Sequence, residues 1–218
     1  RWESGDFSAG LRTLAEKLKG REPFRGLLLQ IETHDEQRWF ALAASPRYDE
    51  KGAFLGFRGV GRDITAERES TDQINRMARF DTLTGLPNRL QLNEQLARAM
   101  TEAEKWSTRC GFMMIDLDRF KAVNDSLGHP VGDRLLGQVS DRLARLMTDN
   151  ELIGRLGGDE FAVVVRDASD SERIDGLARS IIDTLSRPYE LDAHTLFIGA
   201  SVGIAIGPRD GRTAEMLI

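Results

Sequence analysis

Between Glu151 and Val165 the chain has little freedom of fold. Two apolar runs, Glu151–Leu156 and Phe161–Val165, are separated only by Gly157, Gly158, Asp159 and Glu160. Two strand-length runs joined by so short a turn, with glycines able to take positive φ, make a β-hairpin. A third apolar run, Gly111–Leu117, leads into acids: Asp116 and Asp118, at spacing two, share one face of a strand. Strands this apolar need cover, and the flanking sequence supplies amphipathic helices. Asn88–Lys105 carries Leu92, Leu96, Met100 and Ala103 on one side. Pro130–Met147 repeats Val131, Leu135, Val139, Leu143 and Leu146, and Asp170–Ser186 turns Ile174, Leu177, Ile181 and Leu185 inward. A short helix, Asp118–Leu127, ends at Gly128, which suits a left-handed cap. Strands at Pro188–Leu191 and Leu196–Ile206 and the first turn of a helix before Ile218 complete the order. It predicts an α+β sandwich with helices on a central mixed sheet.

The first third has a different period. Phe7–Lys19 reads as a helix, followed by strands at Phe24–Glu32, Arg38–Arg47 and Phe54–Ile64 with polar connections, so a three-strand antiparallel meander is expected. Thr65–Arg79 is polar and helical, capped by Asp63 or Thr65, with sparse apolar positions at Ile64, Ile74, Met77 and Ala78. The expected domains are 1–64, a linker helix over 65–79, and 80–218.

Composition narrows the function. The chain has 218 residues, 40% hydrophobic and 30% charged, with one cysteine and a net charge of −5. No apolar run approaches the ~18 residues of a membrane helix. The lone Cys110 rules out an internal disulfide or a paired-cysteine metal site. The acidic balance argues against a nucleic-acid polymer as partner. His34 and His194 fall in expected turns and Trp2, Trp39 and Trp106 form no stacking pattern, so none is given a role.

The chemistry lies in the acids. If the Gly157–Glu160 turn lies beside the Asp116 strand, Asp116, Asp118, Asp159 and Glu160 converge. Carboxylates so close raise one another's pKa. A divalent cation resolves the repulsion, and oxygen donors without His or Cys favour Mg2+ or Mn2+. Two such ions on shared carboxylates serve attack on phosphorus. The plainer alternatives are an ordinary hairpin turn and, for Asp118, the cap of the next helix.

Several motifs in order carry a resemblance. Asp116 to Asp125, with Phe120, Lys121 and Asn124, then Leu127 to Asp133 with His129, then Arg155 to Phe161, resemble the GGDEF family of diguanylate cyclases. Asp81 to Arg89 is similar to the family's opening motif, and Ala200 to Ile204 to its late strand. The segment ending Gly59 to Thr65 is similar to the C-terminal half of a PAS sensor domain. The resemblance implies a palm-like sheet and condensation of two GTP into cyclic di-GMP with release of two pyrophosphates. It implies Mg2+ or Mn2+ held by Asp116, the carbonyl of Leu117, Asp159 and Glu160. Asp159 or Glu160 would help deprotonate the attacking 3′-hydroxyl, and Lys121 would stabilise phosphate charge. Asn124 and Asp133 would read the guanine edge, with His129 and Phe120 near the substrate, while Gly157 and Gly158 would let backbone approach the phosphates. Each site holds one GTP, so a homodimer is implied. The expected setting is the cytoplasm, with the parent protein open to a membrane anchor.

Two departures accompany the resemblance. The family's inhibitory product site is an Arg-x-x-Asp motif, whereas Thr148, Asp149, Asn150 and Glu151 stand there, so feedback through it is expected to be lost. The family also continues past Ile218 with a basic helix and a last strand. Leu185 to Tyr189 and Gly207 to Gly211 look like chains in which an EAL phosphodiesterase domain follows. The alternative function is therefore a GTP-binding regulatory module of such a protein.

Overall fold

The computed structural model describes residues 9–33, 36–192 and 194–218. His34, Trp2 and the first residues of the Phe7–Lys19 helix lie outside them. The chain forms two compact units that divide between Asn75 and Arg76.

The first unit contains α1 (Ala9–Lys19), β1 (Phe24–Thr33), β2 (Glu36–Tyr48), β3 (Phe54–Asp63) and the start of α2 (Thr65–Arg79). The strands form an antiparallel sheet in the order β1-β2-β3. Leu29 is its buried residue, and α1 lies close upon it. A Cβ on Gly10 would stand 2.5 Å from the Leu28 carbonyl oxygen and 3.5 Å from a Leu29 methyl. Asp63 starts α2: its Oδ1 accepts from the Thr65 amide at 2.9 Å and the Thr65 hydroxyl at 2.6 Å. Trp39, on the central strand β2, has the Arg68 guanidinium 4.0 Å from its ring centroid.

The second unit contains α3 (Arg89–Trp106), β4 (Cys110–Asp118), α4 (Phe120–Leu127), α5 (His129–Leu146), β5 (Glu151–Gly157), β6 (Glu160–Val165), α6 (Ser171–Leu185), β7 (Tyr189–Leu191), β8 (His194–Leu196), β9 (Gly199–Gly207) and α7 (Ala214–Leu217). The sheet order is β5-β6-β4-β9. The α+β class holds, but every pairing in this sheet is antiparallel rather than mixed. The alternation of β4 divides the core in two. Met113, Ile115 and Leu117 pack with β6, α5 and α6 on one face. Cys110 and Phe112 pack with α3 and α7 on the other.

Four local expectations are corrected. The single strand Leu196–Ile206 is two: Leu196 pairs back on Tyr189 in a two-stranded hairpin, while Gly199 pairs with Asp118. His194 opens β8 instead of lying in a turn. Asp118 ends β4 and caps nothing; Arg119 precedes α4 at φ 68, ψ 9. Gly128 does cap α4, its amide donating to the Asn124 carbonyl, but with φ 84 and ψ 160 it is a positive-φ junction to α5 and not in the left-handed helical conformation.

The opening loop of this unit rests directly on β5. A Cβ on Gly154 would meet the Pro87 carbonyl oxygen at 2.4 Å and Leu92 at 2.6 Å. Neither backbone nor packed leucine can yield cheaply. Gly154→Ala should therefore lower stability by about 1–3 kcal/mol, as overpacking does; a urea midpoint unchanged from the parent would contradict this contact.

Candidate active site

The register of the central sheet assembles the acids. Asp116 lies directly opposite Glu160 of β6 and Ser201 of β9. Cross-strand partners project to the same face, so Asp116, Glu160 and Ser201 share the α3 side of the sheet at its end. Asp118, two residues on, joins that face, and Ser201 Oγ donates to its Oδ1 at 3.0 Å. A Cβ on Gly199 would stand 2.7 Å from Asp118 Oδ2 and would push that carboxylate aside. Asp159 sits in the turn between β5 and β6, where Gly157 (φ 139) and Gly158 (φ 55) adopt conformations that favour glycine. Leu117 buries its side chain on the opposite face, 1% exposed, so only its backbone is available to the acids.

The charges interact. Partial burial pushes the Asp116 carboxyl above its usual range, and the negative charges of Asp159, Asp118 and Glu160 push it further. Arg89 offers partial compensation, with Nη2 3.7 Å from Glu160 Oε2. Among the described residues no three His, Cys, Asp or Glu side chains converge to hold one ion. A set of two or three carboxylates with the Leu117 carbonyl is nevertheless chemically suited to a hard divalent cation.

The turn is anchored from behind by Arg155, a contact the sequence reading missed. Its Nε and Nη2 donate to the Gly158 carbonyl at 3.1 and 2.7 Å. Its Nη1 donates to Asp81 Oδ1 and Oδ2 at 3.0 and 3.2 Å. Asp81 Oδ1 also accepts from the Thr84 amide at 2.8 Å and hydroxyl at 2.7 Å. Burial alone would push the Asp81 carboxyl up, but these hydrogen bonds and the Arg155 charge hold it below its usual range.

A second cluster lies on α4 and α5. Lys121, His129 and Asp133 are exposed. His129 and Asp133, four apart on α5, share one helix face. Asn124 is half-buried and its Oδ1 is buried without a partner. Gly132 makes the room, since a Cβ there would stand 1.9 Å from that oxygen. The oxygen itself fills the space that a side chain at position 132 would take. Phe120 differs from its expected role: its ring is 7% exposed in the core, with Cζ 3.3 Å from where a Gly132 Cβ would lie. The ring supports the α4–α5 packing and is not presented to a ligand. The Arg-x-x-Asp position holds an internal knot instead. Buried Glu151 accepts from the Thr148 amide and hydroxyl at 2.9 and 2.5 Å and from Arg173 at 2.7 Å.

Comparison with known proteins decides the family. The family described as "Diguanylate cyclase, GGDEF domain" matches residues 78–218. The chain belongs to the GGDEF family. It is 40% identical over 153 residues to signaling protein YkoW of Bacillus subtilis, a match covering 70% of this chain and 19% of that protein. It is 37% identical over 156 residues to the bifunctional diguanylate cyclase/cyclic di-GMP phosphodiesterase MucR of Pseudomonas aeruginosa, covering 71% of this chain and 22% of MucR. The solved GGDEF domain of TpbB (YfiN) from the same organism superimposes with TM-score 0.62 at 35% identity, covering 64% of this chain and 81% of that one. The chain thus spans about a fifth of the length of these two curated relatives.

The GGDEF acids carry a stability cost of their own. An acid whose folded pKa lies above its unfolded value destabilises the fold once pH exceeds the unfolded value, because the folded state then resists losing its proton. With no divalent cation present, Asp116→Asn should raise the thermal midpoint at pH 7, and the gain should shrink as pH falls toward 4. A lower midpoint at pH 7 would show that Asp116 is held by favourable contacts instead.

Proposed function

We propose that this GGDEF chain is the catalytic part of a diguanylate cyclase, joining two GTP molecules into cyclic di-GMP and releasing two pyrophosphates. The observation that carries the reading is the register pair Asp116–Glu160, with Asp159 in the glycine turn beside it. Each half-reaction is attack of a 3′-hydroxyl of one GTP on the α-phosphorus of the other, with pyrophosphate leaving. Mg2+ or Mn2+ held by Asp116, the Leu117 carbonyl, Asp159 and Glu160 would supply Lewis-acid stabilisation of the phosphate charge. Asp159 or Glu160 accepts the hydroxyl proton. Lys121, exposed on α4, meets the phosphate oxygens, and the Gly157–Gly158 backbone lets them come close. The Asn124 amide would read the guanine edge and the Asp133 carboxylate would accept from its N–H groups, with His129 alongside. Each site binds one nucleotide, so two chains must face each other during turnover.

The first unit is read as the C-terminal part of a PAS-type input that regulates this site. The internal knot around Glu151 supports loss of feedback at the Arg-x-x-Asp position. The resemblance of the late segments to composite chains keeps a second reading in view: a GTP-binding module that adjusts an EAL domain.

Incubation with GTP and Mg2+, followed by chromatography for cyclic di-GMP and pyrophosphate, tests the proposal. The parent chain should form both, and Asp159→Asn should form neither. GTP binding without product, persisting in a longer chain, would favour the regulatory module. Gly132→Ala should displace Asn124 and raise KM for GTP at least tenfold, about the worth of one lost base contact; an unchanged KM would remove Asn124 from the nucleotide site.

A further inference from the structure

We infer that Arg155 is a positioning residue: it holds the Gly157–Glu160 turn in its working place by tying the Gly158 carbonyl to the carboxylate of Asp81. The inference rests on the reading of this turn as catalytic.

The turn needs an external hold. Both glycines occupy positive-φ conformations, and their side-chain space is open, with nothing within 4 Å of either notional Cβ. The β5–β6 register also slips between Arg155 and Gly157. The two glycines therefore add no side-chain packing to the turn. Arg155 supplies the fixation from below. Its side chain is 10% exposed, and that of Asp81 is 21% exposed, so the ion pair is shielded from solvent. Two donors of the planar fork grip one carbonyl and a third meets the carboxylate. Lysine has no such fork.

The far end of the clamp is itself rigid. Asp81 closes a tight loop: its amide donates to the Leu86 carbonyl at 2.8 Å, and its carbonyl accepts from Gly85 at 2.9 Å. The Arg155 amide donates to the Pro87 carbonyl at 2.9 Å, which pins the loop to β5 by backbone as well. Asn88 continues the link. Its amide donates to the Arg79 carbonyl at 2.9 Å and its Nδ2 to the Ala78 carbonyl at 2.9 Å, holding the last turn of α2. Its Oδ1 accepts from Gln91 and caps α3. The end of α2 and the turn bearing Asp159 and Glu160 are thus joined by Asn88, the Asp81–Leu86 loop and Arg155. A disturbance at Ala78–Arg79 has a short, hydrogen-bonded route to the acids.

The test uses Arg155→Ala and Arg155→Lys in the whole chain, with two readouts. In the resting protein, amide hydrogen exchange at Gly158, Asp159 and Glu160 should speed up about tenfold or more, while β4 and α5 keep their protection. In turnover, kcat should fall about tenfold to a hundredfold, the cost of a misplaced catalytic group, with KM for GTP within about twofold. Millimolar guanidinium should restore the alanine variant in part. Asp81→Asn should act in the same direction, and the double variant should be no worse than Arg155→Ala alone. Unchanged exchange at the turn would overturn the inference, as would exchange that rises uniformly or activity that falls only with the folded fraction. The exchange readout needs no turnover, so a parent chain without cyclase activity would defeat the functional reading and leave this inference separately judged.

Discussion

The second unit depends on β4 being hydrogen-bonded on both sides. Its pairing with β6 and β9 sets which of its residues meet the α5–α6 layer and which meet α3. The same register brings Asp116 opposite Glu160 and beside Ser201. A slip of one residue would send Asp116 toward the apolar face that holds Met113, Ile115 and Leu117. Burial of those three residues, each 1% exposed or less, is what makes the slip costly. The hydrophobic core thereby fixes the position of the acids.

Stability and function pull apart at this end of the sheet. The core side chains gain by burial, whereas Asp116 is opposed by the negative charges of Asp159, Asp118 and Glu160. Arg89 compensates weakly, being 3.7 Å away and 55% exposed. Arg155 is the better-buried cation nearby, and it is engaged with Asp81 and a backbone carbonyl. The acids are left with negative charge to share, which is the condition a divalent cation answers.

Much of this was legible in the sequence. The hairpin around Gly157–Glu160 followed from two apolar runs and a turn too short for anything else. The helices α3, α5 and α6 followed from apolar spacing, and the acid cluster from spacing two on β4. The misses have physical causes. Apolar content did not show that Leu196 pairs with Tyr189 in a local hairpin while Gly199 joins Asp118 on β4, because the run reads as one continuous strand and Asp118 is distant in sequence. Asp118 has the composition of a helix cap, yet its bond to Ser201 is a tertiary one. Phe120 sits between Arg119 and Lys121 in a motif-rich segment, but its ring packs inward near Gly132. Arg155 and Asp81 are 74 residues apart, and no local pattern announces their pairing.

We propose that the sheet register places Asp116, the Leu117 carbonyl, Asp159 and Glu160 where a divalent cation would be held. Electron paramagnetic resonance of Mn2+ tests it directly, because bound ion leaves the sharp signal of free Mn2+. Titration into the parent chain should remove one or two ions per chain, and the double variant Asp116→Asn with Asp159→Asn should remove none at the same concentrations. Equal uptake by both proteins, or none by the parent at millimolar Mn2+ with GTP present, would contradict the account.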